Sequence, residues 1–127
     1  WRCALTLQDS QNHTSSVLVV DEYSDSLEIL RTILELRGVS VLEARAANTG
    51  LEVMRAEHPR VVVLDLDDAS ADDEAIQSAF EDETRRCESS LVILGKARMK
   101  GNSRGRVINK PYQYGQLIRT IEQFLER

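Results

Sequence analysis

The chain has 127 residues, with 16 basic and 21 acidic side chains and a formal net charge of -5. That length suits one domain with a real core rather than two, and the net acidity argues against nucleic-acid binding over the whole surface, leaving room only for a local basic patch. No apolar stretch reaches the length of a membrane span and no signal-peptide pattern is present, while the two distant cysteines, Cys3 and Cys87, fit a reducing compartment better than a disulfide scaffold, so a cytoplasmic location is expected.

Residues 1–15 are expected to be an extension or linker. The mildly apolar CALTL (3–7) runs into the polar QDSQNHTSS (8–16), and a start at Trp1 rather than Met suggests a chain processed or cut from something longer. From Ser16 the texture changes to alternating strands and helices in one domain, 16–127. VLVVD (17–21) is an unbroken apolar strand, mostly β-branched, ending in an acid. SDSLEILRTILELRG (24–38) reads as a helix capped by Ser24 or Asp25, with Leu27, Leu30, Ile33 and Leu34 on one face and Gly38 as its stop. VSVLEA (39–44) is a second strand. TGLEVMRAEHP (49–59) reads as a helix with a Thr49–Glu52 capping box and Pro59 as terminator. RVVVLD (60–65) is the third strand, followed by a helix around 73–87 with Ile76, Ala79 and Phe80 facing inward. LVIL (91–94) and RVIN (106–109) are strands four and five. YGQLIRTIEQFLER (114–127) closes the chain as an amphipathic helix through Leu117, Ile121, Phe124 and Leu125.

Strands that are apolar without alternation are buried on both faces, and with intervening helices they predict an α/β fold: a parallel sheet sandwiched by helices. Ligands of such folds sit beyond the carboxyl ends of the strands. Asp21, Glu22 and Asp65 fall there, as does the segment after Leu94. The stretch VVVLDLDDAS (61–70) is the sharpest case, because a buried strand there runs straight into Asp65, Asp67 and Asp68. Carboxylates gathered in one crevice repel unless a cation joins them. Singly, each acid also fits a helix cap, and Lys110 an ordinary surface lysine.

Three motifs, VLVVDE at the end of the first strand, VVVLDLD at the end of the third and NKPY after the fifth, together resemble the receiver domain of two-component response regulators over residues 16–127. The resemblance implies a flavodoxin-like five-stranded parallel sheet in the order 2-1-3-4-5. It implies that Asp65 accepts a phosphoryl group from a histidine kinase or phosphotransfer protein, and that the domain regulates a downstream protein or an attached output domain. Asp21 and Glu22 match the acidic pair that holds Mg²⁺, Asp67 sits where the family offers a backbone carbonyl to the metal, and Lys110 matches the lysine that pairs with the phosphoryl oxygens. The chemistry suits those roles. Mg²⁺ takes carboxylate, carbonyl and water oxygens, and stabilising charge on the transferring oxygens is the main catalytic need in phosphoryl transfer. Lys110 adds a point charge on a flexible stem. Neither a membrane nor nucleic acid is an expected partner.

The departures from the family pattern cluster on the switching side. Gly95 stands where the family places a Thr or Ser at the end of the fourth strand, so only its backbone N–H is on offer there. Lys96 replaces the small residue beside it, where its charge could partly stand in for the missing hydroxyl. Val107 occupies the position of the switching aromatic, and Asp68-Ala69 follows in place of Met-Pro. The helix between strands four and five is expected to be shortened or missing, because KARMKGNSRG carries two glycines and leaves little room for a mean helix of about eleven residues. Lys96, Arg98, Lys100, Arg104 and Arg106 make that region basic, which fits a solvated loop or an acidic partner surface. An atypical receiver is therefore expected.

Two other classes compete. VVVLDLDD is also similar to the DxD motif of haloacid-dehalogenase-type phosphatases, with Asp65 as nucleophile and Asp67 as acid/base. Gly95 lacks their required hydroxyl, RVINKP lacks their further acidic pair, and their motif usually lies on the first strand; a toprim-like nuclease using Glu22 with Asp65 and Asp67 is a weaker variant. The remaining class is a pseudo-receiver that acts as a protein-interaction module without taking up phosphate.

Overall fold

The computed structural model describes residues 16–21, 24–66, 71–95 and 105–126, with side chains described except at 24–27 and 71–73. Five parallel strands form one sheet: β1 (Ser16–Val20), β2 (Ser40–Ala44), β3 (Val61–Asp65), β4 (Ser90–Leu94) and β5 (Gly105–Ile108). Their order is β2-β1-β3-β4-β5, as the resemblance implied. The described helices are α1 (Ser24–Leu36), α2 (Ala47–Glu57), α3 (Ala71–Cys87) and α4 (Tyr114–Leu125). The helix expected to be shortened between β4 and β5 falls on residues outside the described ones.

Two apolar layers sandwich the sheet. Alternation along β1 and β3 sends Val17, Val19, Val61 and Val63 to one side, where Leu30 and Leu34 of α1 and Leu117 and Ile121 of α4 cover them. Leu18, Val20, Val62 and Leu64 go to the other side, under Met54 of α2 and Phe80 of α3. The unbroken apolar runs of β1, β3 and β4 follow from this, because these strands have helices on both faces. The edge strands β2 and β5 are buried only in part. Burying one such aliphatic side chain contributes about 1.5–3 kcal/mol, which makes these layers the main stabilising element.

Helix ends differ from the sequence reading in instructive ways. The C-terminus of α1 is as expected: Gly38 takes φ 84, and the Gly38 and Val39 N–H groups donate to Glu35 and Leu34. The Thr49–Glu52 capping box does not form. Helix α2 starts at Ala47, its N-cap is Ala46 in an extended conformation, and no side chain caps it. Thr49 lies inside the first turn, where its N–H meets Asn48 Oδ1. The helix ends with His58 in the left-handed region and donating to the Met54 carbonyl, one residue ahead of Pro59. Helix α3 begins two residues before the expected start, and its inner face is more polar than Ile76, Ala79 and Phe80 suggest. Gln77, Glu81, Glu83 and Thr84 are also buried. Gln77 Nε2 donates to Glu81 Oε2 at 2.7 Å, and Arg55 of α2 reaches Glu83 at 3.2 Å, so these groups are paired, as burial demands. Cys87 is buried, its Sγ donating to Glu83 Oε2 at 3.9 Å, and Cys3 lies outside the described residues. No described helix is long and apolar enough to cross a membrane.

Helix α2 approaches the sheet closely at Gly50. A β-carbon there would come within 2.8 Å of Val20 Cγ2 and 3.1 Å of Phe80 Cζ. At Gly115, in the first turn of α4, the nearest atom would be Arg119 Nη1 at 3.7 Å. Gly50→Ala is expected to lower stability by about 1–3 kcal/mol through overpacking, despite the better helix propensity of alanine. Gly115→Ala is expected to be neutral or to stabilise by up to about 1 kcal/mol. Urea midpoints of the two variants measure the opposite signs.

Candidate functional site

The ends of the strands carry the parallel ladder one residue further, and the charged groups hang from that extension. The Asp21 N–H donates to the Ala44 carbonyl at 3.0 Å, the Leu66 N–H to Leu94 at 2.9 Å and the Gly95 N–H to Ile108 at 3.0 Å. Val20 is in register with Leu64, so Asp21 follows directly beside Asp65 on the neighbouring strand. Strand spacing sets their backbones about 4.8 Å apart. By alternation both acids continue the rows of Val17, Val19, Val61 and Val63, on the α1/α4 side of the sheet. Asp21 is only 5% exposed and the Asp65 side chain 9%. Two buried carboxylates so placed call for a counter-charge.

Lys110 supplies one. Its Nζ donates to Asp65 Oδ1 in a part-buried ion pair. The lysine lies two residues beyond β5 and precedes Pro111 through a cis peptide bond. Sequence reasoning missed Tyr112, although it sits in the quoted NKPY. Its ring packs on the α1/α4-side core and meets Tyr114 edge-on, with centroids 5.9 Å apart and planes at 82°. Its phenol is pushed up from 10.0 to about 12, first by burial, then by the fields of Tyr114, Asp65 and Asp21, with Lys110 opposing. The tyrosine therefore stays neutral and feels both acids of the crevice.

The structure thus brings together three of the expected site residues, Asp21, Asp65 and Lys110, while Glu22, Asp67 and Lys96 lie outside the described residues. Among the described residues no group of three or more His, Cys, Asp or Glu is placed to hold a metal ion. The described donors are carboxylate oxygens, the chemistry a hard cation such as Mg²⁺ requires.

The switching positions lie on the opposite side. Val107 is half-buried against the α2/α3-side core. Gly95 has φ +140. Its N–H, expected to be on offer to a ligand, is already given to Ile108. An L-side chain at this position would be strained, so the glycine does more than omit a hydroxyl.

The raised Tyr112 phenol carries a pH prediction. A group whose folded pKa lies above its unfolded value favours its protonated form in the folded state. Its contribution is complete below pH 10 and is lost as pH rises from about 10 through about 12. Wild type minus Tyr112→Phe stability, measured by urea unfolding at steps across that range, should fall with rising pH, and below pH 9 the difference should be flat.

No family model matches the chain. Over 119 residues it is 20% identical to the polar-differentiation response regulator DivK of Brucella ovis, spanning 88% of this chain and 97% of that protein. Among solved structures it is similar to a CheY-like response regulator receiver domain protein from Methanospirillum hungatei, with a TM-score of 0.73 and 22% identity over 90% of this chain and 96% of that one. A response regulator from Thermotoga maritima gives a TM-score of 0.71 and 18% identity over 88% of this chain and 98% of that one. The chain has the fold of these receiver domains, five parallel strands in the order 2-1-3-4-5 between helices.

Proposed function

We propose that this domain is the receiver of a two-component phosphorelay, taking a phosphoryl group onto Asp65 from a histidine kinase or phosphotransfer protein and regulating a partner or attached output domain. The observation that carries this reading is the Lys110–Asp65 ion pair at the carboxyl end of the central strand, with Asp21 alongside. An Asp65 carboxylate oxygen forms the new bond to phosphorus as the donor's bond to phosphorus breaks, and the leaving group departs with its electron pair. Lys110 holds Asp65 before transfer and neutralises a phosphoryl oxygen after it. Asp21, Glu22, Asp65 and the backbone carbonyl at Asp67 would hold Mg²⁺, which supplies charge that offsets the crowded acids and the transferring oxygens. The neutral ring of Tyr112 lies within the field of both acids.

A second reading, a phosphorylation-independent pseudo-receiver, is favoured by one observation: the Gly95 backbone has neither a hydroxyl nor a spare N–H with which to sense a phosphoryl group. A DxD-type phosphohydrolase is less well supported, since Asp65 stands on the third described strand and Gly95 offers no hydroxyl at the end of the fourth.

Incubation with a small phosphodonor and Mg²⁺, read by intact mass, separates the three. The receiver reading expects a stable gain of one phosphate on wild type, none on Asp65→Asn, and a rate about 100-fold lower for Lys110→Ala. Many turnovers of released phosphate would mark a phosphohydrolase, and no change at all the pseudo-receiver. Millimolar Mg²⁺ should raise the melting temperature of wild type more than that of Asp65→Asn, because a ligand held by the folded state alone stabilises it. With a non-hydrolysable phosphoryl mimic in Mg²⁺, amide NMR changes should stay near Asp65, Lys96 and Lys110. Large changes through Val107 and the face of α4 would mean that an ordinary long-range switch operates.

A further inference from the structure

Gly95 and Leu66 form a clamp that neither residue's chemistry advertises. The Leu66 N–H donates to the Leu94 carbonyl at 2.9 Å. On its other side the Leu66 carbonyl lies against the Gly95 α-carbon, so that an L-β-carbon at 95 would overlap the Leu66 oxygen and come within 3.4 Å of its carbonyl carbon. Leu94 and Gly95 therefore engage Leu66, the residue after Asp65, at both its N–H and its carbonyl, which belong to consecutive peptide units. The Gly95 N–H, bonded to Ile108, ties the clamp to β5, the strand that leads to Lys110.

We infer that Gly95 is a positioning residue for the Asp65 crevice: its missing side chain is the space into which the Leu66 carbonyl is seated, and filling it displaces the backbone that carries Asp65. The family's hydroxyl residue cannot simply be restored here. A threonine at 95 would meet both a backbone conformation reserved for glycine and the Leu66 oxygen, and would disturb the acids rather than extend a relay to them. The effect on metal and phosphate rests on the receiver reading; the effect on the position of Asp65 does not.

Gly38 provides the control. It also has a positive φ, +84, but a β-carbon there would meet nothing within 4 Å. Both Gly95→Ala and Gly38→Ala strain the backbone, and only the first intrudes on Leu66. In metal-free protein, Gly95→Ala and Gly95→Thr should shift the amide resonances of Asp65, Leu66 and Lys110, whereas Gly38→Ala should leave them in place. Mg²⁺ titrations should give a Kd about tenfold or more weaker for both Gly95 variants and unchanged for Gly38→Ala, the scale expected when support for a metal ligand is removed. Wild-type resonances at Asp65 and Leu66 in both Gly95 variants would overturn the inference, as would a phosphoryl response strengthened by Gly95→Thr. If wild type itself ignores Mg²⁺, the receiver reading falls, and the metal-free resonances still decide the clamp. Should the Gly95 variants not fold, hydrogen exchange in wild type decides it. The Leu66 and Gly95 amides should show the same protection within about threefold because they open together; a Leu66 amide exchanging tenfold or more faster would sink the clamp.

Discussion

Two carboxylates placed side by side at the carboxyl ends of the central strands are the constraint around which the rest of this structure is arranged. The register that buries Val17 against Val61 also carries Asp21 and Asp65 into each other's field, so apolar packing and charge crowding are fixed by the same ladder. The ion pair with Lys110 meets part of that charge, but the lysine starts from the far edge. With β4 between β3 and β5, it spans about 10 Å of sheet at ordinary strand spacing. A long, flexible stem suits that reach, and a short basic side chain would not cover it. The edge strand β5 and helix α4, which packs Leu117 and Ile121 onto the core, can thus be seen as the support that holds one ammonium group over Asp65.

Much of this was legible in the sequence, for a simple reason. Strands covered on both faces must be continuously apolar, and VLVV, VVVL and LVIL are, so the central sheet and the acids at its end could be read directly. Gly38 could be read because a left-handed helix terminus strongly favours glycine. The start of α2 could not, because Ala46 carries no side-chain cap; the Thr49–Glu52 pattern was a better local signal than the one the tertiary packing uses. The polar inner face of α3 was hidden for a related reason. Gln77, Glu81 and Glu83 look solvent-facing until their partners, some on another helix, are known. Gly95 was legible as a missing hydroxyl but not as a seat for Leu66, since positive φ and a carbonyl contact leave no trace in composition or periodicity.

The two faces of the sheet divide the work. Alternation puts Asp21 and Asp65 on the α1/α4 side, together with Tyr112. Leu66 and Val107 join the α2/α3-side core instead. A change of charge at Asp65 must therefore cross the sheet to reach the positions where the family places its relay. Among the described residues one such crossing consists of backbone: the Leu66 N–H bonded to Leu94, the Leu66 carbonyl against Gly95, and the Gly95 bond to Ile108. Such a path has no side-chain rotamer to flip between two states.

Within the receiver reading, that distinction bears on the kind of signal the domain would send. A modification shifts a conformational equilibrium only to the extent that it interacts differently with the two conformations. A hydroxyl that follows the phosphoryl group provides such a difference, because it bonds in one state and not in the other. A backbone clamp already satisfied by its own hydrogen bonds gains little from an added phosphoryl group and would lose bonds by moving. Within the receiver reading, what phosphorylation would change most is then the charge at the crevice: Asp65 would gain a dianionic group, and Lys110 would have to choose between carboxylate and phosphoryl oxygens. A partner that reads this state would have to contact the mouth of the crevice itself. Within the receiver reading, the economical form of output is direct recognition of charge at the site, with the sheet serving as a rigid mount rather than as the moving part.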